Sequence, residues 1–348
     1  MNKKARAGWL AGVAVVVSMG LAACSSASDE TSGAPDGGGE TSLSLVGFAV
    51  PKAANNAIQK LWAETPEGKG VTWVESYGAS GDQSRAVEAG LEADYVHFSL
   101  EGDVTRLVDA GLVDPSWNAG ETGGIVSSSV VVFVVREGNP KNIQDWDDLV
   151  ADGVEIVTPN PGSSGSARWN ILAGWGDVIA NGGSEDDAIA YTTELFNNIV
   201  ALPGSGRDAT SAFLAGTGDV LLSYENEAIL ARQQGEKIDY VLPATTLRID
   251  NPGAVLKDAD PKASEWLKFL FTPEAQAEFG KLGFRPVIDG VDVGEVEGAN
   301  DPANPFPAPT TLLNINDDFG GWSEANPKFF DEENGIITKI QIETGKSS

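Results

Sequence analysis

Ile125-Val126-Ser127-Ser128-Ser129-Val130-Val131-Val132-Phe133-Val134-Val135-Arg136-Glu137-Gly138-Asn139 reads as one strand. Strands usually run about 5–6 residues, so this one is long enough to leave one compact region and enter another. A second stretch of the same kind, Thr245 to Val255, brings the chain back. A chain that crosses over and returns builds one lobe from residues 43–127 plus 247–348 and another from residues 128–246. The remaining 306 or so residues beyond the N-terminal segments suit one or two domains.

On either side of that stretch, short apolar runs that end in Gly, Ser, Pro or Asn alternate with longer helical patterns, which makes this an α/β chain. The predicted strands are Ser44 to Phe48, Val71 to Glu75, Tyr95 to Ser99, Val130 to Val135, Val154 to Thr158, Ile199 to Leu202, Val220 to Ser223 and Ile238 to Val241. Helices are predicted over Asp82 to Gly90, Asp103 to Ala110, Ile143 to Leu149, Ala167 to Ile179, Glu185 to Asn197 and Ala209 to Leu214. There is no internal repeat. In such lobes ligands collect in the crevice outside the carboxyl ends of the strands.

The N-terminus carries an address. Lys3, Lys4 and Arg6 precede an apolar stretch from Trp9 to Gly20, which is short for a membrane span and reads as a secretory signal. Leu21-Ala22-Ala23-Cys24 then resembles a bacterial lipobox, so residues 1–23 are expected to be removed and Cys24, the single cysteine, to carry lipid. Residues 24–42 hold no large apolar side chain and are expected to be a disordered tether. The whole chain has a formal charge of −28; without Lys3, Lys4 and Arg6 it is more negative still. That charge excludes nucleic acid and anionic membrane surfaces as natural partners and suits solubility outside the cell.

Three strand-to-helix junctions share one chemistry: Tyr77-Gly78-Ala79-Ser80-Gly81-Asp82, Gly162-Ser163-Ser164-Gly165-Ser166-Ala167 and Pro203-Gly204-Ser205-Gly206-Arg207-Asp208. Each is a Gly/Ser loop opening a helix. A helix start has unpaired N–H groups and a favourable dipole for an anion, glycine permits close approach, and serine adds a hydroxyl. Gly and Ser are also ordinary helix caps, so the weight lies in three such junctions on two lobes. None has the phosphate-binding Gly-x-x-x-x-Gly-Lys-Ser/Thr pattern or reads Gly-x-Gly-x-x-Gly at a strand end. A compact tetrahedral oxyanion held by neutral donors fits better than a nucleotide. Arg168 and Arg207 start helices beside two of the loops and are expected to fix those loops through salt bridges rather than to touch the anion.

Catalysis has few residues to draw on. His97 is the single histidine and alternates within a strand, the setting of a structural residue. With Cys24 committed to lipid, neither a zinc site nor a Cys-His pair can be assembled. No Gly-x-Ser-x-Gly elbow precedes a downstream histidine. Asp147-Asp148 and the Glu225 to Glu227 stretch are read as exposed helix termini.

At these residues the sequence resembles the sulfate-binding proteins of ABC transporters. The likeness runs through Gly138-Asn139-Pro140-Lys141, Asp145-Trp146-Asp147-Asp148-Leu149, Thr158-Pro159-Asn160-Pro161, Ser163-Ser164-Gly165, Ala167-Arg168-Trp169-Asn170, Glu225-Asn226-Glu227-Ala228 and Phe319-Gly320-Gly321-Trp322. It implies two Rossmann-like lobes joined by crossing hinge strands, the class II periplasmic-binding-protein fold. It also implies a non-catalytic, cofactor-free monomer that holds a dehydrated sulfate and delivers it to permease subunits at the outer face of the cell membrane or in the periplasm.

Carried over residue by residue, the resemblance makes Ser80 the first-lobe serine. It makes Ser164, Gly165 and Ser166 the Ser-Gly-Gly loop, with Ser166 in place of its last glycine, and Gly206 a backbone donor. Two positions depart from the family. Tyr224 stands where an indole donor is usual, and Phe48-Ala49-Val50-Pro51 replaces a Tyr-Asp-Pro loop, so that Ala49 or Val50 would act through its backbone. Thiosulfate, molybdate and other tetrahedral oxyanions stay open as ligands.

Overall fold

A computed structural model of the protein describes residues 41–346; the expected signal, Cys24 and nearly all of the expected tether lie outside the described residues. The first part of the chain contains β1 (Thr41–Phe48), α1 (Lys52–Ala63), β2 (Val71–Gly78), α2 (Ser80–Glu88), β3 (Tyr95–His97) and α3 (Glu101–Asp109). Then come β4 (Ile125–Arg136), α4 (Trp146–Leu149), β5 (Ile156–Val157), α5 (Gly165–Ala180), α6 (Glu185–Asn198), β6 (Ile199–Ala201), α7 (Gly206–Leu214), β7 (Val220–Tyr224), α8 (Glu225–Gln233) and β8 (Ile238–Val241). The return strand β9 (Thr245–Val255) leads into α9 (Pro261–Leu270), α10 (Pro273–Lys281), β10 (Thr311–Leu313), α11 (Ile315–Phe319), α12 (Trp322–Phe330) and α13 (Ile336–Glu343).

The strand order is β2-β1-β3-β9-β4-β7-β5-β6, with β8 also on β4 and β10 on β9. Pairing is parallel within β2-β1-β3 and within β7-β5-β6, and antiparallel wherever β4 or β9 is involved, except for β10 on β9. The two long strands hand over their partners along their length. β9 pairs with β10 over Thr245 to Leu247, with β4 over Arg248 to Pro252 and with β3 over Gly253 to Val255. β4 pairs with β9 from Ile125 to Val130 and with β7 from Val131 to Val135. Each long strand therefore belongs to both halves of an α/β, two-lobed fold, as its length led us to expect.

Two aromatic clusters anchor the layers. Trp266 meets Trp62, Trp73 and Tyr95 edge to face at centroid separations of 4.9–6.2 Å, and Trp62 lies tilted on Trp73 at 5.9 Å. Phe133 of β4 meets Trp146 at 4.7 Å. Such edge contacts add to the large apolar burial of each ring. The C-terminal segment packs on the first lobe, with α9 and α10 against α1 and α12 against α3, and it also reaches α5: Trp322 packs on Trp169 at 4.7 Å and Phe329 on Trp175 at 4.9 Å. Lys346 Nζ also donates to the Ile199 carbonyl at 2.6 Å.

The three helices at the Gly/Ser junctions start two or three residues earlier than predicted, at Ser80, Gly165 and Gly206. Glycine and serine weaken a helix interior, which hides such starts from pattern reading. In the first turn that penalty is small, because the N–H groups there need no carbonyl four residues back.

Candidate functional site

The starts of α2, α5 and α7 converge. The Gly81 N–H donates to the Ser163 carbonyl at 3.3 Å, and the Ser163 hydroxyl donates to the Gly204 carbonyl at 2.8 Å. A Cβ on Gly206 would stand 2.9 Å from Ser166 Oγ and 3.2 Å from Val50 Cγ2, so glycine is what lets the α5 start and the β1–α1 turn close on this backbone. Ser80, Ser164, Gly165, Ser166, Gly206, Tyr224 and Val50 are thus gathered in one place, all buried.

The donors differ in what they have left to give. Ala49 donates its N–H to Gly78 at 3.0 Å, whereas the Val50 N–H has no hydrogen-bond partner among the described residues. Neither α2 nor α5 is capped by a side chain; Ser164 sits at the cap position of α5 and does not bond its first turn. The Ser80 hydroxyl is already used. It accepts from the Ser99 N–H at 2.9 Å and donates to Asp103 Oδ2 at 2.6 Å, which leaves the Ser80 main chain as its contribution to a ligand. Burial raises the Asp103 pKa, while the Ser80 bond and the Arg168 guanidinium lower it.

Tyr224 ends β7, with its hydroxyl 2.8 Å from Ser99 Oγ and beside Ser166 and Asn251. Burial pushes its phenol pKa well up, so it keeps its proton. Nothing in the sequence singles out Ser99: in Ser99-Leu100-Glu101-Gly102-Asp103 the serine closes the strand instead of sitting in a Gly/Ser loop.

The charged neighbours frame the site. Arg207 pairs with buried Glu227 at 2.6 Å and reaches the Val50 carbonyl at 3.2 Å, as a loop-fixing arginine should. Arg168 fixes its loop differently: it makes no ion pair among the described residues and donates to Pro161 O at 3.0 Å and Asn326 Oδ1 at 2.8 Å. Glu225 and Glu227 overturn their reading as exposed helix termini. Both are buried, because Arg285, 60 residues away, clasps Glu225 through two bonds of 2.7 and 3.1 Å, and Arg207 and Thr210 hold Glu227. Asp148 does serve a helix end, in a capping box with Asp145.

His97 lies under the site as a structural residue. Its Nδ1 is 3.1 Å from Asn55 Oδ1 and its Nε2 3.1 Å from Ser127 Oγ, and burial lowers its pKa to about 3. A surface groove of about 580 Å³ between α3 and α12 suits an anion poorly, since Glu88, Glu101 and Asp109 outnumber Arg106 in its lining.

Comparison with known proteins bears on this geometry. The sequence profile of the family described as bacterial extracellular solute-binding protein matches residues 43–285. The chain belongs to this family. It is therefore an extracytoplasmic binding protein rather than an enzyme. It is 43% identical to a sulfate-binding protein of Synechococcus elongatus, over 95% of both chains. It superposes with a TM-score of 0.78 and 44% identity on the sulfate-binding protein SubI from Mycobacterium tuberculosis H37Rv, covering 84% of this chain and all of that one. A thiosulfate-binding protein of Pseudomonas aeruginosa is 37% identical over 68% of this chain and 74% of its own.

Proposed function

We propose that this protein captures sulfate between its lobes and delivers it to the permease of an ABC importer. The observation that carries this reading is the convergence of three buried helix starts, two of them uncapped, around neutral donors. A fully ionised oxyanion loses its water there and gains N–H and O–H bonds aligned with helix dipoles. The donors we assign are the main-chain N–H groups of Val50, Ser80, Gly165, Ser166 and Gly206, the Ser164 hydroxyl and the Tyr224 phenol. Of the two first-loop candidates Val50 is preferred over Ala49, whose N–H is committed to Gly78.

We propose that the lobes that close on the ion are residues 43–127 with 247–348, and residues 128–246. We further propose that residues 1–23 are a signal, that Cys24 is lipidated, that residues 24–42 tether a monomer to the membrane, and that no cofactor is needed.

A thermal-shift panel of sulfate, thiosulfate, molybdate and phosphate tests the ligand. Sulfate at a hundred times its Kd should stabilise the protein by about 2.7 kcal/mol. Phosphate should not, because its remaining proton would face donors alone. The thiosulfate relative keeps thiosulfate as the second reading, and a larger shift with thiosulfate would favour it. Sulfate affinity should be flat from about pH 5.5 to 8.5, since no assigned donor titrates there and the pKa of His97 is lowered to about 3. A strong pH dependence would place a titrating group against the ion.

A further inference from the structure

Ser99 is fastened through every polar atom it has. Its N–H bonds Ser80 Oγ at 2.9 Å, its carbonyl accepts from Trp169 Nε1 at 2.9 Å and Asn251 Nδ2 at 3.2 Å, and its hydroxyl meets Tyr224 at 2.8 Å. Those partners come from α2, α5, the crossing strand β9 and the end of β7, so one fully buried serine ties both sides of the cleft to the strand that joins them. Gly165 permits this, because a Cβ there would lie 2.7 Å from Ser99 Oγ.

The two hydroxyls share a single hydrogen bond, and its direction matters. A phenol is a far stronger acid than an aliphatic alcohol, and burial keeps the Tyr224 proton in place. When the cleft is closed without a ligand, the phenol is the better donor of the pair and Tyr224 donates to Ser99. An anion is a stronger acceptor than a serine hydroxyl, because charge-assisted bonds are about twice as strong as neutral ones. The tyrosine proton then turns to the anion, and the Ser99 proton takes the vacated lone pair of the phenol oxygen. The relay is polarised towards the ligand and strengthens the final bond.

We propose that Ser99 is a positioning residue of the site: its hydroxyl donates to Tyr224 when the ligand is bound, directs the Tyr224 proton at the oxyanion, and clasps the cleft shut. This rests on the oxyanion reading above. Ser99→Ala keeps the Cβ, the N–H and the carbonyl and removes only the clasp. Against sulfate, S99A should raise Kd by about 5–10-fold. The change should appear in the dissociation rate, with association altered less than about twofold. Tyr224→Phe should raise Kd by at least about tenfold. The S99A/Y224F double variant should bind no more than about twofold more weakly than Y224F, since Ser99 acts through Tyr224.

The melting temperature of ligand-free S99A should stay near that of the wild type, which separates the clasp from a packing role. If S99A does not fold, Ser99→Cys carries the same test through its weaker donor. Wild-type affinity in S99A, or losses that multiply in the double variant, would overturn the clasp alone. If no oxyanion shifts the wild-type melting temperature, the oxyanion reading and the clasp both fall.

Discussion

Gly165→Ala is the substitution that most directly tests whether the α5 start closes against the first lobe. The new methyl carbon would lie 2.7 Å from Leu100 Cγ and 2.8 Å from Ser99 Cβ, neither of them the free end of a long side chain. That is about 0.7 Å or more inside the optimal carbon–carbon separation. Overpacking of this order costs about 1–3 kcal/mol. If the contact forms only when the lobes meet, the cost falls on the bound state, and Kd should rise about 5–150-fold. On that premise the methyl meets no such neighbour in the open protein, and alanine is a better helix residue than glycine. Ligand-free G165A should therefore melt at or above the wild-type temperature while binding sulfate more weakly. Calorimetry and a thermal scan measure the two signs separately. Wild-type affinity combined with a melting temperature several degrees lower would refute the reasoning, because Gly165 would then be packed the same way with or without ligand.

Three further outcomes are expected. The unfolded state protonates His97 near pH 6.5 and the folded state only near pH 3, so its contribution to stability is lost as pH falls between those values. The slope is up to about 1.4 kcal/mol per pH unit. The buried carboxyls Asp103, Glu225 and Glu227 have raised pKa values and act in the opposite sense, but they are common to wild type and His97→Gln. Denaturant titrations of the two proteins should therefore diverge below pH 6.5, and parallel curves would remove His97 from the account. Arg285→Ala strands buried Glu225 and should cost about 3–5 kcal/mol in chemical denaturation; a loss below about 1 kcal/mol would show that water reaches the carboxylate. Cys24→Ala should release the protein from the membrane fraction or leave it unprocessed, and a correctly processed variant that stays membrane-bound would contradict lipidation.

Much of the fold was legible because its signals are local. The second crossing runs from Thr245 to Val255, the stretch read from the sequence, since its length alone marks it as a strand that spans two regions. β2 runs on to Gly78, past the expected Glu75, because it is an edge strand whose exposed polar positions weaken the apolar pattern. The site residues at glycine-bearing junctions could be found from sequence, as their chemistry is written in adjacent letters. Ser99, the burial of Glu225 and the docking of Trp322 on Trp169 could not. Each depends on a partner 60 or more residues distant, which no period of 2 or 3.6 encodes.

The ribbon formed by β4 and β9 also has a mechanical character. Its ladder from Ile125 to Val130 opposite Arg248 to Pro252 is two strands wide where the partners change, apart from a single bridge from Arg285 to Ser128. Hydrogen bonds in such a ladder resist sliding of one strand past the other, yet a two-stranded ribbon tolerates a wide range of twist. Torque passes through it more easily than shear. A rotation about this joint therefore need break no ladder bond and leaves the register of the two strands unchanged.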